Sequence, residues 1–178
     1  YGLMINLSLF HVGNGWATVG PALILETIGN ENNFNFGDGE KSVYFGLIFS
    51  MFYIGQALSV ITTNYVMKYS QKTTLIVFTI LFFLCNSLMI IPHLVCLLFG
   101  IFGIGLAYGT IAVIITSNLA GLSPPTKKSF GGNLYNISFS FGILGTYFFS
   151  IGEQGNNYWW RINMFACGAI LLINMIVL

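Results

Sequence analysis

The chain has 178 residues, 56% of them hydrophobic, and carries only six basic and five acidic residues. Soluble domains devote about a quarter of their residues to charge, so a charged share of 6% excludes a water-soluble globular protein and points to a polytopic membrane protein. It leaves no basic patch large enough for nucleic acid. Cys85, Cys96 and Cys167 stand apart in apolar runs without metal-ligand spacing and read as small buried hydrophobes.

A membrane-spanning helix needs about 20 mostly apolar residues, and six such runs follow one another along the chain. They cover roughly 2–28, 42–67, 73–91, 93–122, 130–151 and 158–178. The first contains His11, Asn14 and Thr18, spaced three and four apart and hence on one helical face. His11 is the one ionisable group set deep in a span, where such groups are costly and often functional, and a neutral imidazole can equally bond to a neighbour. Glu26 falls at the outer end of this run, and Pro21 reads as structural. The loop from Gly29 to Lys41, GNENNFNFGDGEK, carries Glu31, Asp38 and Glu40. The second run holds Tyr53 and Gln56 on one face. It ends in the short basic loop KYSQK, with Lys68 and Lys72.

Pro92 and His93 mark a tight hairpin between the third and fourth runs. The fourth contains Tyr108 and the glycines Gly100, Gly103, Gly105 and Gly109, whose simplest role is close helix packing. The loop Ser123 to Ser129 follows, with Lys127 and Lys128 behind two prolines. The fifth run repeats the polar spacing in Asn133, Asn136 and Ser140, and GEQGNN leads to the sixth. Lys68, Lys72, Lys127 and Lys128 lie in two alternate loops without acids, whereas the acids collect in the other three connections and their edges. Short basic loops stay inside, so both chain ends and both lysine pairs are expected there. Tyr158, Trp159 and Trp160 are expected at the outer interface as an aromatic anchor. The fold class expected is all-α, a single six-helix transmembrane bundle.

The stretch from Thr116 to Leu144 resembles the sugar-porter branch of the major facilitator superfamily. There, helices 4 and 5 carry P-x-Y-x-x-E-x-x-P-x-x-x-R-G, a mid-helix glutamine and G-I-L. Aligned without a gap, Thr116, Asn118 and Gly121 stand at the first proline, the tyrosine and the glutamate. Pro124 matches the second proline, and Lys128 and Ser129 stand at the arginine and glycine. Asn136 stands at the glutamine, and Gly142, Ile143 and Leu144 match G-I-L. The glycine ladder of the fourth run, Trp160-Arg161, and GWATVGPAL near the start are similar to other family features. MKYSQKTTL occupies the place of D-R-x-G-R-R-K-T-L, with Met67 at the aspartate, Ser70 at the glycine and Gln71 at one arginine; Leu97 stands at the helix-4 arginine.

The resemblance spans nearly the whole chain and implies one half of a major-facilitator bundle, in which helices 1, 2, 4 and 5 line a cavity and 3 and 6 face lipid. It makes His11, Asn14, Thr18, Tyr53, Gln56, Tyr108, Asn133, Asn136 and Ser140 candidates for contact with a small neutral solute such as a sugar, because amides and hydroxyls bind polyols without burying charge. The same groups also serve to glue helices together. The resemblance implies, further, an inner-face charge latch, of which only the cations Lys68, Lys72 and Lys128 are present. Ala17 stands near an aspartate of proton-coupled members, which favours facilitated diffusion. A second six-helix half, a second copy or a partner membrane subunit must complete the cavity. The alternative role is a degenerate transporter fold serving as a structural subunit of a larger membrane complex. The plasma membrane and an organellar one, such as the mitochondrial inner membrane, both fit. No nucleophile–base pair, phosphate loop or metal cluster is present in the sequence, so neither an enzyme nor a cofactor is expected.

Topology is tested by single cysteines at Ser70, Thr126, Asn33 and Asn156. An impermeant thiol reagent is expected to reach the first two from one side of the membrane and the last two from the other. Labelling of Asn33 and Thr126 positions from the same side would overturn the arrangement.

Overall fold

A computed structural model describes residues 7–20, 41–91, 93–123, 128–151 and 159–177. These residues form six helices: α1 over 7–20, α2 (Lys41–Val66), α3 (Gln71–Leu88), α4 (Leu94–Leu122), α5 (Lys128–Ile151) and α6 (Trp159–Val177). Hydrocarbon offers a backbone amide no partner except another backbone group, which drives even glycine-rich segments such as α4 into helix. Four of the helices, α2 to α5, have spans long and apolar enough to cross a membrane, and the described part of α6 is a shorter apolar helix.

The ends of the helices follow local chemistry. His93 takes an extended conformation and its Nδ1 accepts a hydrogen bond from the Val95 amide at 3.3 Å, capping α4. The His93 amide donates to Ile91 O at 2.8 Å, which closes the α3–α4 hairpin expected there. Pro92 itself lies outside the described residues. Lys128 and Ser129, expected in a loop, instead open α5.

α4 is the central helix. Of its most apolar stretch 61% is buried, against 22% for α2 and 17% for α5. It packs chiefly on α2 and then on α3, while α3 reaches across to α6. Glycines set these approaches. A Cβ on Gly105 would strike Phe52 O of α2, and one on Gly55 would strike Phe102 O of α4. The same reciprocal arrangement joins α1 to α5, where Gly15 faces Phe139 O and Gly142 faces Val12 O. On the flanks, Gly100 and Gly103 of α4 press on Met89 and Cys85 of α3, as Gly13 and Gly20 of α1 press on Leu171 and Met164 of α6. α1 thus stands to α5 and α6 as α4 stands to α2 and α3, an internal repeat of two three-helix units.

Polar ties add to the α1–α6 contact. Trp16 Nε1 donates to Asn163 Oδ1 at 2.6 Å, Cys167 Sγ donates to Gly13 O at 3.4 Å and Asn174 Nδ2 donates to Leu9 O at 3.2 Å. Trp160, expected at the interface as an aromatic anchor, is instead fully buried, with the Arg161 guanidinium 5.3 Å from its ring. The indole fills the bundle, where its large area is worth more than at a headgroup boundary. Tyr158 lies outside the described residues, as do Pro21, Glu26 and the acidic loop residues.

The glycine contacts carry a sharp expectation. Gly105→Ala should lower the thermal midpoint of the purified protein, since a methyl group against a backbone carbonyl has no rotamer to escape into and overpacking costs about 1–3 kcal/mol. Gly46→Ala, where nothing lies within 4 Å, should not lower it. Equal midpoints for both variants would show that the helices do not depend on this approach.

Candidate functional site

The polar residues of the expected stripes part company in the structure. His11 and Asn14 of α1 are both fully buried. Asn14 Nδ2 lies 3.1 Å from His11 Nδ1. The imidazole meets the Tyr135 ring of α5 edge-on, with 4.0 Å between centroids. Thr18 is half-buried and its hydroxyl donates to Asn14 O at 2.9 Å, one turn back along the helix. His11 and Asn14 present no open surface in this conformation.

Tyr108 of α4 is buried. The Tyr108 ring also tilts against Phe52 of α2 at 5.8 Å. Tyr53 itself is more than half exposed. Gln56 is half-buried, and its backbone carbonyl accepts from Ser59 Oγ at 2.6 Å.

The α5 stripe is open. Asn133, Asn136 and Ser140 are all exposed. The Ser140 hydroxyl donates to the Asn136 backbone carbonyl at 2.9 Å, one turn back along the helix. A shallow groove of about 420 Å³ runs here, lined by Asn136, Ile137, Ser140, Phe141 and Leu144. A groove of about 400 Å³ against α2 and α4 differs in kind, being lined only by Met51, Val95, Leu98, Phe99 and Phe102. Of these two grooves, the first has side chains that can hydrogen-bond a polar solute.

At the end of the bundle where α2 gives way to α3, Lys68 and Lys72 are exposed, and Lys68 Nζ stands 5.7 Å from the centre of the Tyr65 ring. Met67 is exposed, and nothing lies within 4 Å of where a Gly121 side chain would begin. Lys127 lies outside the described residues; Lys128 is the first residue of α5. No carboxylate occurs among the described residues. Leu97 is fully buried in the first turn of α4, whereas Gly121 lies in its last. The two positions are therefore separated by most of a membrane thickness, and position 97 cannot belong to an inner-face network.

Two features escaped the sequence. Tyr135 covers His11, yet it sits beside Asn136 and off the polar stripe. Asn163, Cys167 and Asn174, which tie α6 to α1, are spaced by four and seven residues and so share one helical face; that spacing was the available signal.

Among the described residues no group of three His, Cys, Asp or Glu side chains could hold a metal. Compared with known proteins, residues 4–178 match the family model described as sugar (and other) transporter. No curated protein matches the chain significantly.

Proposed function

The chain belongs to the sugar (and other) transporter family, and on that premise we propose that it moves a small neutral solute of the sugar type across its membrane by alternating access, without a coupling ion. It is an integral membrane protein of a transporter family rather than an enzyme family. The observation that carries the proposal is the open α5 face. Asn136 and Ser140 line a groove that contains hydrogen-bonding groups and no charge. Uncharged amides and hydroxyls bind a neutral polyol without the desolvation cost of a buried ion. Facilitated diffusion is supported by Ala17, buried on α1 where the resembled proton-coupled members carry an aspartate. One wall does not make a cavity, so the groove requires a second bundle opposite it, near the membrane midplane. The membrane is the plasma membrane or an organellar one.

A second function, structural subunit of a larger complex, is favoured by one observation. Met67 and Gly121, at the places of two latch acids, are exposed and leave Lys68 and Lys72 without a carboxylate among the described residues. A protein that must lock and release its inner face gains from opposite charges there. A fixed subunit has no such need.

Asn136→Ala is expected to weaken binding or uptake of the transported sugar roughly two- to tenfold, the effect of losing one hydrogen bond of about 0.5–1.5 kcal/mol. Expression and the thermal midpoint should stay unchanged. Unaltered affinity in the variant would reject the α5 site. Lys128→Glu separates the two functions. For a transporter whose lysines only set topology, at about 1 kcal/mol per charge near anionic lipid, the change should perturb orientation in proportion to anionic lipid content. If it leaves topology intact and detaches a protein partner, the subunit function is the correct one.

A further inference from the structure

Among the described residues, His11 Nε2 and Asn14 Oδ1 are buried without a hydrogen-bond partner. Both side chains are fully buried. Leaving a donor or acceptor unmet in such a place costs its full desolvation penalty, and native interiors rarely tolerate it without a reason.

The bond the pair already makes limits its remaining chemistry. An amide nitrogen only donates, so Asn14 Nδ2 at 3.1 Å makes His11 Nδ1 the acceptor and places the imidazole proton on Nε2. What remains is one donor, His11 Nε2–H, and one acceptor, Asn14 Oδ1. Turning the Asn14 amide over exchanges the roles but leaves the same complement of one donor and one acceptor. A hydroxyl group, which donates once and accepts, can serve either atom. An anion would be repelled by Oδ1, and a cation has nothing to gain from Nε2–H.

The His11 ring has an aromatic neighbour on α5. The Tyr135 ring lies against the imidazole with 4.0 Å between centroids and is itself only half-buried. The next residue, Asn136, faces the open groove. Tyr135 thus packs on the His11 ring and neighbours, along α5, a residue of the groove that binds solute in the function proposed above. The geometry points to His11 and Asn14 as an occluded hydroxyl subsite of the transport cavity, with the Tyr135 ring as the lid that closes it in this conformation. In the other conformation the ring moves aside, and His11 Nε2–H and Asn14 Oδ1 meet hydroxyls of the solute. The inference rests on the transport function for its purpose, but it can be tested without transport.

Diethyl pyrocarbonate acylates neutral imidazole nitrogen, and peptide mass spectrometry reads each histidine separately. The protein has two, His11 and His93, and His93 is exposed, so it calibrates the reagent. The full chain in lipid vesicles is used. A lid that opens from a state populated at roughly 0.1–10% makes His11 react about ten- to a thousandfold more slowly than His93, yet measurably. Tyr135→Ala should raise the His11 rate about tenfold or more by removing the barrier to that state, with His93 unchanged, and Tyr135→Phe, which keeps the ring, should not. Glycerol as the hydroxyl probe should slow the His11 reaction in the parent protein, whereas tetramethylurea, which has no hydroxyl, should not. The glycerol arm needs no variant and stands even if Tyr135→Ala fails to fold. A His11 that never reacts, or one that reacts without protection by glycerol, would overturn the subsite and leave the pair as a sealed helix contact. Glycerol protection in a protein that takes up no sugar would sink the transport function and keep the subsite. Sugar uptake by a protein whose His11 stays inert would do the reverse.

Discussion

The structure depends on how closely helix backbones approach one another at four glycines. Phe52, Val12, Phe102 and Phe139 each present a carbonyl oxygen where the Cβ of any larger residue on the facing helix would have to go. In lipid there is no hydrophobic difference between a helix surface and the acyl chains around it, so association draws on dispersion contact and on hydrogen bonds, both of which fall off steeply with distance. Glycine permits the distance. It costs helix propensity in water, about 1 kcal/mol relative to alanine, but a chain in hydrocarbon has no competing hydrogen-bonded state to fall into. The reciprocal pairs Gly55–Gly105 and Gly15–Gly142 therefore define two rigid units, and the α3–α6 contact joins their flanks.

That framework sorts the polar groups. A hydrogen bond between spanning helices contributes on average about 0.6 kcal/mol, enough to fix register but not to drive folding. Trp16–Asn163 fits that role: both side chains are buried and the indole N–H finds its acceptor in Asn163 Oδ1. His11 and Asn14 do not, because their mutual bond leaves His11 Nε2 and Asn14 Oδ1 without a partner. Asn136 and Ser140 differ again, being open to the groove. Residues of similar composition thus fall into three energetic situations: satisfied, half-satisfied and exposed. Function is expected in the last two, where the protein has not already met the group's bonding capacity.

One end of the bundle, where α2 gives way to α3, carries exposed cations. Lys68 and Lys72 stand exposed beside Tyr65 and Tyr69, and the described residues offer them no carboxylate. Exposed like charges near a surface repel only weakly through water and salt, so the cluster is tolerable, and anionic lipid lowers its energy further.

The sequence by itself determined the class, the number of helices and most of their limits, because the hydrocarbon thickness and the absence of water are one-dimensional constraints that any apolar run must meet. It also carried the family, through local patterns such as Gly142-Ile143-Leu144 and the Pro124–Lys128 spacing. It placed His11, Asn14 and Thr18 on one helical face, and Asn133, Asn136 and Ser140 on another, but not which face turns inward. That depends on how a helix is rotated against neighbours far away in sequence. The tertiary structure alone decided that the α1 stripe is sealed under Tyr135 while the α5 stripe is open, that Trp160 is buried rather than interfacial, and that Asn163 bonds to Trp16. A helical period fixes which residues share a face; only packing between helices sets what that face meets.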